Sequence, residues 1–297
     1  MLHGLSAFPV TPVSEQGILN SEALKQLTER MITAGVHSIG LLGSTGAYMY
    51  LNERTRRQAI EVAQTQNNGR VPLVVGISAM RTDDAVNYAK DAKAMGATAG
   101  LLSAVSYTPL TEDEVFVHFT TVARQSGLPL CIYDNPSTTH FTFSERLIFR
   151  LAQMPDIVGI KNPLPVCEIK EHLQRQRVNM PTGFEIGYSG DWGCADALIA
   201  GADTWYSVLA GTFPGICVEL TNAAQTGDIN KARDLNMRLQ PLWDVFKKYS
   251  SLRVTYEMLD YFEIADAALP KPLLPLSLSD RESVIRVLEN YSTDFLR

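Results

Sequence analysis

Short apolar runs alternate with amphipathic stretches along most of this chain, and that alternation limits the fold more than any single residue does. The candidate strands are Gly4–Val10, Ser38–Leu42, Val71–Val75, Ala99–Leu102, Pro129–Tyr133, Ile157–Ile160, Gly183–Tyr188 and Thr204–Val208. Helical periodicity marks Ser21–Ala34, Glu53–Gln66, Thr82–Met95, Thr111–Ser126, Ser144–Ala152 and Asp191–Ala200 between them. Ser21, Thr82, Thr111 and Ser144 stand at expected N-cap positions, with Glu114 completing a capping box after Thr111. Gly35, Gly96, Gly127 and Gly201 follow helices as stops. A strand–helix–strand unit returns the chain in its original direction, so the class is α/β with a parallel sheet. Eight such units in about 250 residues predict a closed (β/α)8 TIM barrel. The open doubly wound sheet is the rival, but no GxGxxG follows an early strand. From Asp228 onward the pattern is helical only, interrupted by Pro270-Lys271-Pro272 and Pro275, with a last helix near Ser279–Asn290. The expected organisation is a barrel over residues 1–225 and a C-terminal helical extension over 226–297.

Composition narrows the function classes. With 297 residues, 45% hydrophobic and 20% charged, the chain reads as a soluble globular enzyme with a large core. A net charge of −6 without a basic stripe argues against nucleic acid or an anionic membrane as partner. Cys131, Cys167, Cys194 and Cys217 are widely spaced with no CxxC pair, which suits reduced thiols rather than a zinc site. The N-terminus lacks a basic segment followed by an apolar core, and no apolar run is long enough for a bilayer, so a cytoplasmic location is expected.

A barrel carries its chemistry at the C-terminal ends of its strands. Those ends hold Thr11, Gly43-Ser44-Thr45-Gly46, the stretch from Ser103 to Tyr107, Tyr133, Lys161, Ser189-Gly190-Asp191 and Ser207. Lys161 closes the apolar run Ile157-Val158-Gly159-Ile160 and precedes an Asn-Pro breaker. Desolvation of a buried lysine favours the neutral amine, which is the form that attacks a carbonyl. The alternative is a stem lining the strand while the ammonium reaches water. The Gly43–Gly46 loop can cradle a carboxylate or phosphate with its N–H groups and hydroxyls, or be a tight turn. Tyr133 and Tyr107 can relay protons or be packed tyrosines. His140 is either a contact to a second substrate or an exposed loop residue; His3, His37, His118 and His172 show no metal-ligand spacing.

Gly43-Ser44-Thr45-Gly46, Tyr107, Tyr133-Asp134-Asn135-Pro136 and Gly159-Ile160-Lys161-Asn162, in this order, resemble the signatures of the dihydrodipicolinate synthase / N-acetylneuraminate lyase family. The resemblance runs from Phe8-Pro9-Val10-Thr11-Pro12 to Lys271-Pro272-Leu273-Leu274-Pro275-Leu276. It implies a (β/α)8 barrel with C-terminal helices, commonly a homotetramer (a dimer of dimers), acting on pyruvate or a related 2-oxo acid through a lysine imine. By position it makes Lys161 the imine-forming lysine and Tyr133 the proton relay. Ser44 and Thr45 become the carboxylate holders, Thr45 also linking the relay. Tyr107 becomes the tyrosine lent across a dimer interface. Gly190, Asp191 and Ser207 fall where sugar-acid lyases of the family contact substrate hydroxyls, and Thr138 takes the place of an arginine that grips substrate; His140, two residues on, is the candidate contact to a second substrate read from the sequence itself. No cofactor and no metal are implied.

Three departures bear on the reaction. Ala47 stands where the family loop usually continues with glutamate. Thr138 stands where lysine-pathway synthases place an arginine, and a threonine offers no charged bidentate fork. Trp192 stands where a neuraminate lyase would carry an acid. The leading expectation is a Schiff-base aldolase or lyase acting on pyruvate or a 2-oxo (3-deoxy sugar) acid. Its alternatives are a dehydratase of a 2-oxo-3-deoxy sugar acid, a true 4-hydroxy-tetrahydrodipicolinate synthase, and a barrel that binds a 2-oxo acid without turnover. A metal-dependent aldolase is disfavoured, because no His/carboxylate cluster gathers at the strand ends.

Overall fold

The computed structural model of the protein describes residues 2–296. Its strands are β1 (Gly4–Ala7), β2 (Ser38–Leu41), β3 (Leu73–Gly76), β4 (Ala99–Leu102), β5 (Leu130–Tyr133), β6 (Ile157–Asn162), β7 (Glu185–Ser189) and β8 (Thr204–Ser207). They pair in chain order and β8 closes on β1, every pairing parallel, which is the expected barrel. The barrel's helices are α1 (Ser21–Ala34), α2 (Glu53–Asn67), α3 (Thr82–Ala94), α4 (Glu112–Ser126), the single turn α5 (Pro136–Thr139), α6 (Glu145–Ala152), α7 (Ile169–Asn179), α8 (Asp191–Ile199) and α9 (Pro214–Gln225). Beyond them lie α10 (Ile229–Arg238), α11 (Gln240–Tyr249), α12 (Ser251–Tyr261), α13 (Leu278–Leu288) and α14 (Thr293–Leu296). Helix α11 packs against α8, α12 and α13, which brings the C-terminal helices against the barrel. No helix among the described residues is long and apolar enough to cross a membrane.

Helices α7 and α9 are not among those read from periodicity. Only Leu173 and Gln176 are buried on the polar α7, whereas α9 buries one face, Ile216, Cys217, Leu220, Thr221, Ala223 and Ala224, whose small and polar members blur the apolar stripe. The caps follow the chemistry with small shifts. Thr111 makes the full capping box and Ser144 caps α6. At α1 the cap is Asn20, not Ser21, because the Asn20 amide oxygen reaches the Ala23 N–H at 3.1 Å. Thr82 is already helical, and its hydroxyl instead meets His118 Nδ1 at 2.9 Å.

Side chains fill two layers. The larger lies between strands and helices, and a smaller one inside the barrel includes Phe8, Val74, Leu101, Cys131, Tyr133 and Tyr206. The inner layer accepts two large rings only because glycines face them. A Cβ on Gly43 would fall 2.7 Å from the Phe8 ring, and one on Gly187 would fall 2.6 Å from the Tyr206 ring. Strand β6 carries a bulge: Leu130 pairs with Ile157 and Cys131 already with Gly159. Strict alternation from the outward Ile157 would turn Lys161 outward. The extra residue restores Ile160 to the outer layer and points Lys161 into the barrel.

Candidate active site

Lys161 stands beside Tyr133 across β5 and β6, and beside Gly187 across β6 and β7. It is 5% exposed. Its Nζ lies 4.2 Å from the centres of the Phe8 and Tyr133 rings and 5.6 Å from that of Tyr206. Aromatic faces surround the amine, and none of the ion pairs among the described residues includes it. Ring faces attract a cation far less than a carboxylate does and leave the nitrogen lone pair free once the proton has gone. Cys131 borders the same chamber, with Sγ 3.4 Å from the Tyr206 hydroxyl. Burial pushes that thiol up to about 12, so it stays protonated and does not compete as a nucleophile.

The Tyr133 phenol sits at the centre of a hydrogen-bond chain. Asn135 Nδ2 donates to the phenol oxygen at 3.0 Å, Ser137 Oγ donates to Asn135 Oδ1 at 2.7 Å, and Ser44 Oγ lies 3.1 Å from the phenol. With Asn135 donating, the phenol's own proton is free to point at Ser44 or at a substrate. The Ser44–Thr45 loop is held open by backbone geometry. Leu42 and Ala47 flank it at φ 55° and 51°, left-handed values that side chains avoid, and Thr11 Oγ1 donates to the Gly46 carbonyl at 2.8 Å. The buried Arg56 guanidinium donates to the Gly76 carbonyl at 2.9 Å and lies over the Tyr88 ring at 3.9 Å.

Lys161, Tyr133, Ser44, Thr45, Thr138, Gly190 and Asp191 all line one cavity of about 470 Å³ at this end of the barrel. Four expected residues have different surroundings from those the strand-end reading suggested. Asp191 borders the cavity, but its carboxylate is committed: Oδ1 accepts from Trp205 Nε1 at 2.9 Å and from Val208 N at 3.2 Å, and Oδ2 from Leu209 N at 2.8 Å. Ser207 is fully buried outside the cavity, where its Oγ accepts from Ala210 N at 3.0 Å. Alternation along β8 turns Tyr206 inward and Ser207 toward α9. His140 is exposed, at φ 56°, and does not line the cavity. Tyr107 is 96% exposed and lies outside its own chain's cavity. Asn135, Tyr206 and Phe8 were not singled out from the sequence. Asn135 was visible beside Tyr133, but its bond to the phenol needed the turn at Pro136. Tyr206 is the neighbour of Ser207 on the opposite face of β8, so the other phase of the alternation would have flagged it. Among the described residues no group of three or more His, Cys, Asp or Glu is arranged to hold a metal ion.

A parallel barrel with one buried lysine, an adjacent phenol and a hydroxyl-lined loop at its C-terminal mouth defines an enzyme of the class I, lysine Schiff-base lyase type. The chain belongs to the Dihydrodipicolinate synthetase family, which it matches over residues 1–291. It is 32% identical to the 4-hydroxy-tetrahydrodipicolinate synthase of Methylococcus capsulatus over 286 residues, covering 96% of this chain and 97% of that protein. A crystal structure of dihydrodipicolinate synthase from Agrobacterium tumefaciens superposes with a TM-score of 0.95 at 49% identity, covering 98% of each chain. The dihydrodipicolinate synthase of Acinetobacter baumannii complexed with pyruvate gives a TM-score of 0.90 at 28% identity, over 98% of this chain and 99% of that one.

Proposed function

We propose that Lys161 forms an imine with pyruvate or a related 2-oxo acid and uses it to make or break a bond at C3 or C4 of the substrate. The single observation that carries this reading is Lys161 Nζ, buried without an ion pair, 4.2 Å from the ring of a phenol that is hydrogen-bonded to the Ser44 hydroxyl. Neutral Lys161 adds to the C2 carbonyl, a proton moves to the resulting hydroxyl, and water leaves to give the protonated imine. That cation takes up the electron pair released when C3 loses a proton or when the C3–C4 bond breaks, giving an enamine. Tyr133 carries the proton, oriented by Asn135 and connected through Ser44. Ser44 and Thr45 hold the C1 carboxylate, which sets the angle between carbonyl and amine.

Tyr107 takes its part in a second copy of the chain. Its exposure, together with that of Met80 and Val117 in a surface hollow lined by Val105 and Leu110 from its own loop, supports a homodimer that pairs further into a tetramer. Residues 226–297 extend the barrel unit of 1–225, and a cytoplasmic location suits the four unpaired cysteines. At α5 the neutral Thr138 gives an aldehyde's carboxylate no charged grip, which on that position alone favours cleavage or dehydration of a 2-oxo (3-deoxy sugar) acid over condensation. The synthase names of the relatives favour the condensation. A coupled assay decides. Purified protein is offered 2-oxo-3-deoxy sugar acids, with pyruvate release and loss of water followed separately, and pyruvate plus aspartate semialdehyde in a third reaction. Turnover in any arm that disappears in Lys161→Ala supports the imine; turnover that survives this substitution contradicts it.

A further inference from the structure

The cavity above Lys161 has a wall that the barrel does not supply. Phe246, Lys247, Ser250, Ser251, Leu252 and Leu273 reach it from α11, from the start of α12 and from the segment beyond α12. The charged side chains that line the cavity are Lys161, Asp191 and Lys247. Asp191 has both oxygens occupied by Trp205, Val208 and Leu209, so apart from the reacting amine of Lys161 the charge the cavity offers a ligand is the ammonium of Lys247. Ser137, Thr138 and Ser189 line the same cavity. Helix α5 brings no cation, since Thr138 is neutral, and the cation for a ligand's far end comes from α11 instead.

Lys247 has an ion pair with Asp244 at 3.0 Å, three residues back on the same helix. The two side chains are 45% and 60% exposed, so water screens the pair and the ammonium keeps donors to spare. Next to it, Ser250 turns the chain from α11 into α12 at φ 74°, a strained value for a serine, and no side chain caps α12. The N–H groups of the first turn of α12 are thus left open where Ser250, Ser251 and Leu252 border the cavity. The same cavity receives the nine-tenths buried, ion-pair-free Lys161 from its other side.

We propose that this C-terminal wall, Lys247 with the open start of α12, binds the distal end of the substrate and selects a 2-oxo acid that carries a second carboxylate. The inference rests on the imine at Lys161 and adds the substrate class: a diacid, with C1 at Ser44 and Thr45 and the far carboxylate at Lys247.

The test uses the full-length protein and two six-carbon 2-oxo acids that differ at the far end, 2-oxoadipate and 2-oxohexanoate, with pyruvate in parallel. Each is trapped on the enzyme with borohydride, and the half-saturating concentration for labelling Lys161 is read by peptide mass spectrometry. The wild type should label at about tenfold lower concentration with the diacid, as a charge-assisted contact implies. Lys247→Met should bring the two within about twofold, Lys247→Arg should keep the preference, and Lys247→Glu should reverse it. The preference is a ratio within each variant, so a general loss of reactivity cancels. Equal labelling by the wild type, or an intact preference in Lys247→Met, overturns the proposal. No label from pyruvate in the wild type overturns the imine reading beneath it instead.

Discussion

Replacing Asp191 by asparagine separates an anchor from a substrate contact. The carboxylate accepts hydrogen bonds from Trp205 Nε1 at 2.9 Å, Val208 N at 3.2 Å and Leu209 N at 2.8 Å. These donors fix the turn after β8, and Asp191 and the Trp205 indole are both nearly fully buried. Asparagine keeps the shape but has a single acceptor oxygen, so its NH2 group must meet at least one of the three N–H groups, donor against donor. Stranding one buried donor and losing charge assistance on the others costs about 2–4 kcal/mol. That is a large part of the roughly 5–15 kcal/mol available to a folded domain. Urea denaturation followed by circular dichroism should show the midpoint fall by that cost divided by the denaturant slope m. Steady-state kinetics on the protein that remains folded should keep KM within about threefold of wild type. An unchanged midpoint together with a KM raised tenfold or more would refute the reasoning, because it would show the carboxylate holding substrate rather than the Val208–Leu209 turn.

Three further substitutions test other parts of the account. Tyr133→Phe removes the relay hydroxyl but not the ring over Lys161, so kcat should drop by about 10²–10³ while borohydride still traps pyruvate on Lys161; normal turnover would show that another group moves the proton. Gly187→Ala places a Cβ 2.6 Å from both the Tyr206 ring and the Thr204 carbonyl, and should cost about 1–3 kcal/mol in urea and slow imine trapping as the ring shifts; a wild-type midpoint would mean the inner layer has room to spare. Burial pushes the Asp134 carboxyl up to about 6 against a bond from the Phe143 backbone, whereas an unfolded aspartate ionises near 3.9. Between about pH 4 and 6 the folded state keeps a proton that the unfolded state has released, so stability falls as pH rises, by up to about 3 kcal/mol. Asp134→Asn should flatten that fall, its advantage over wild type widening across the window; parallel stability curves would show that Asp134 ionises alike in both states.

The barrel was legible because it depends on a repeated pattern that local sequence cannot hide: apolar strand, breaker, amphipathic helix. Lys161 and Tyr133 were legible because each ends such a strand, and strand ends are where a barrel gathers its chemistry. What failed was phase and partnership. Ser207 was taken from the correct strand end but the wrong face, with Tyr206 one residue away pointing inward. The direction of Lys161 depends on a bulge opposite Leu130 and Cys131, and a bulge leaves no mark in hydrophobic alternation. Asp191 reads as a free acid in the sequence, because its donors, Trp205, Val208 and Leu209 among them, come from more than a dozen residues further on. Lys247 gave no signal at all. It lies on a surface-like helix of the extension, and only the packing of α11 beside α8 brings it to the barrel mouth.

The most direct measurement is a crystal structure of the protein soaked with pyruvate. Two lysines line the cavity, Lys161 and Lys247, so the position of the adduct is a real choice. Continuous density is expected from Lys161 Nζ to C2 of the pyruvyl group, with the carboxylate against Ser44 and Thr45 and the Tyr133 hydroxyl within hydrogen-bond distance. An adduct on Lys247, or pyruvate bound intact away from Lys161 with its carbonyl unreacted, would contradict it.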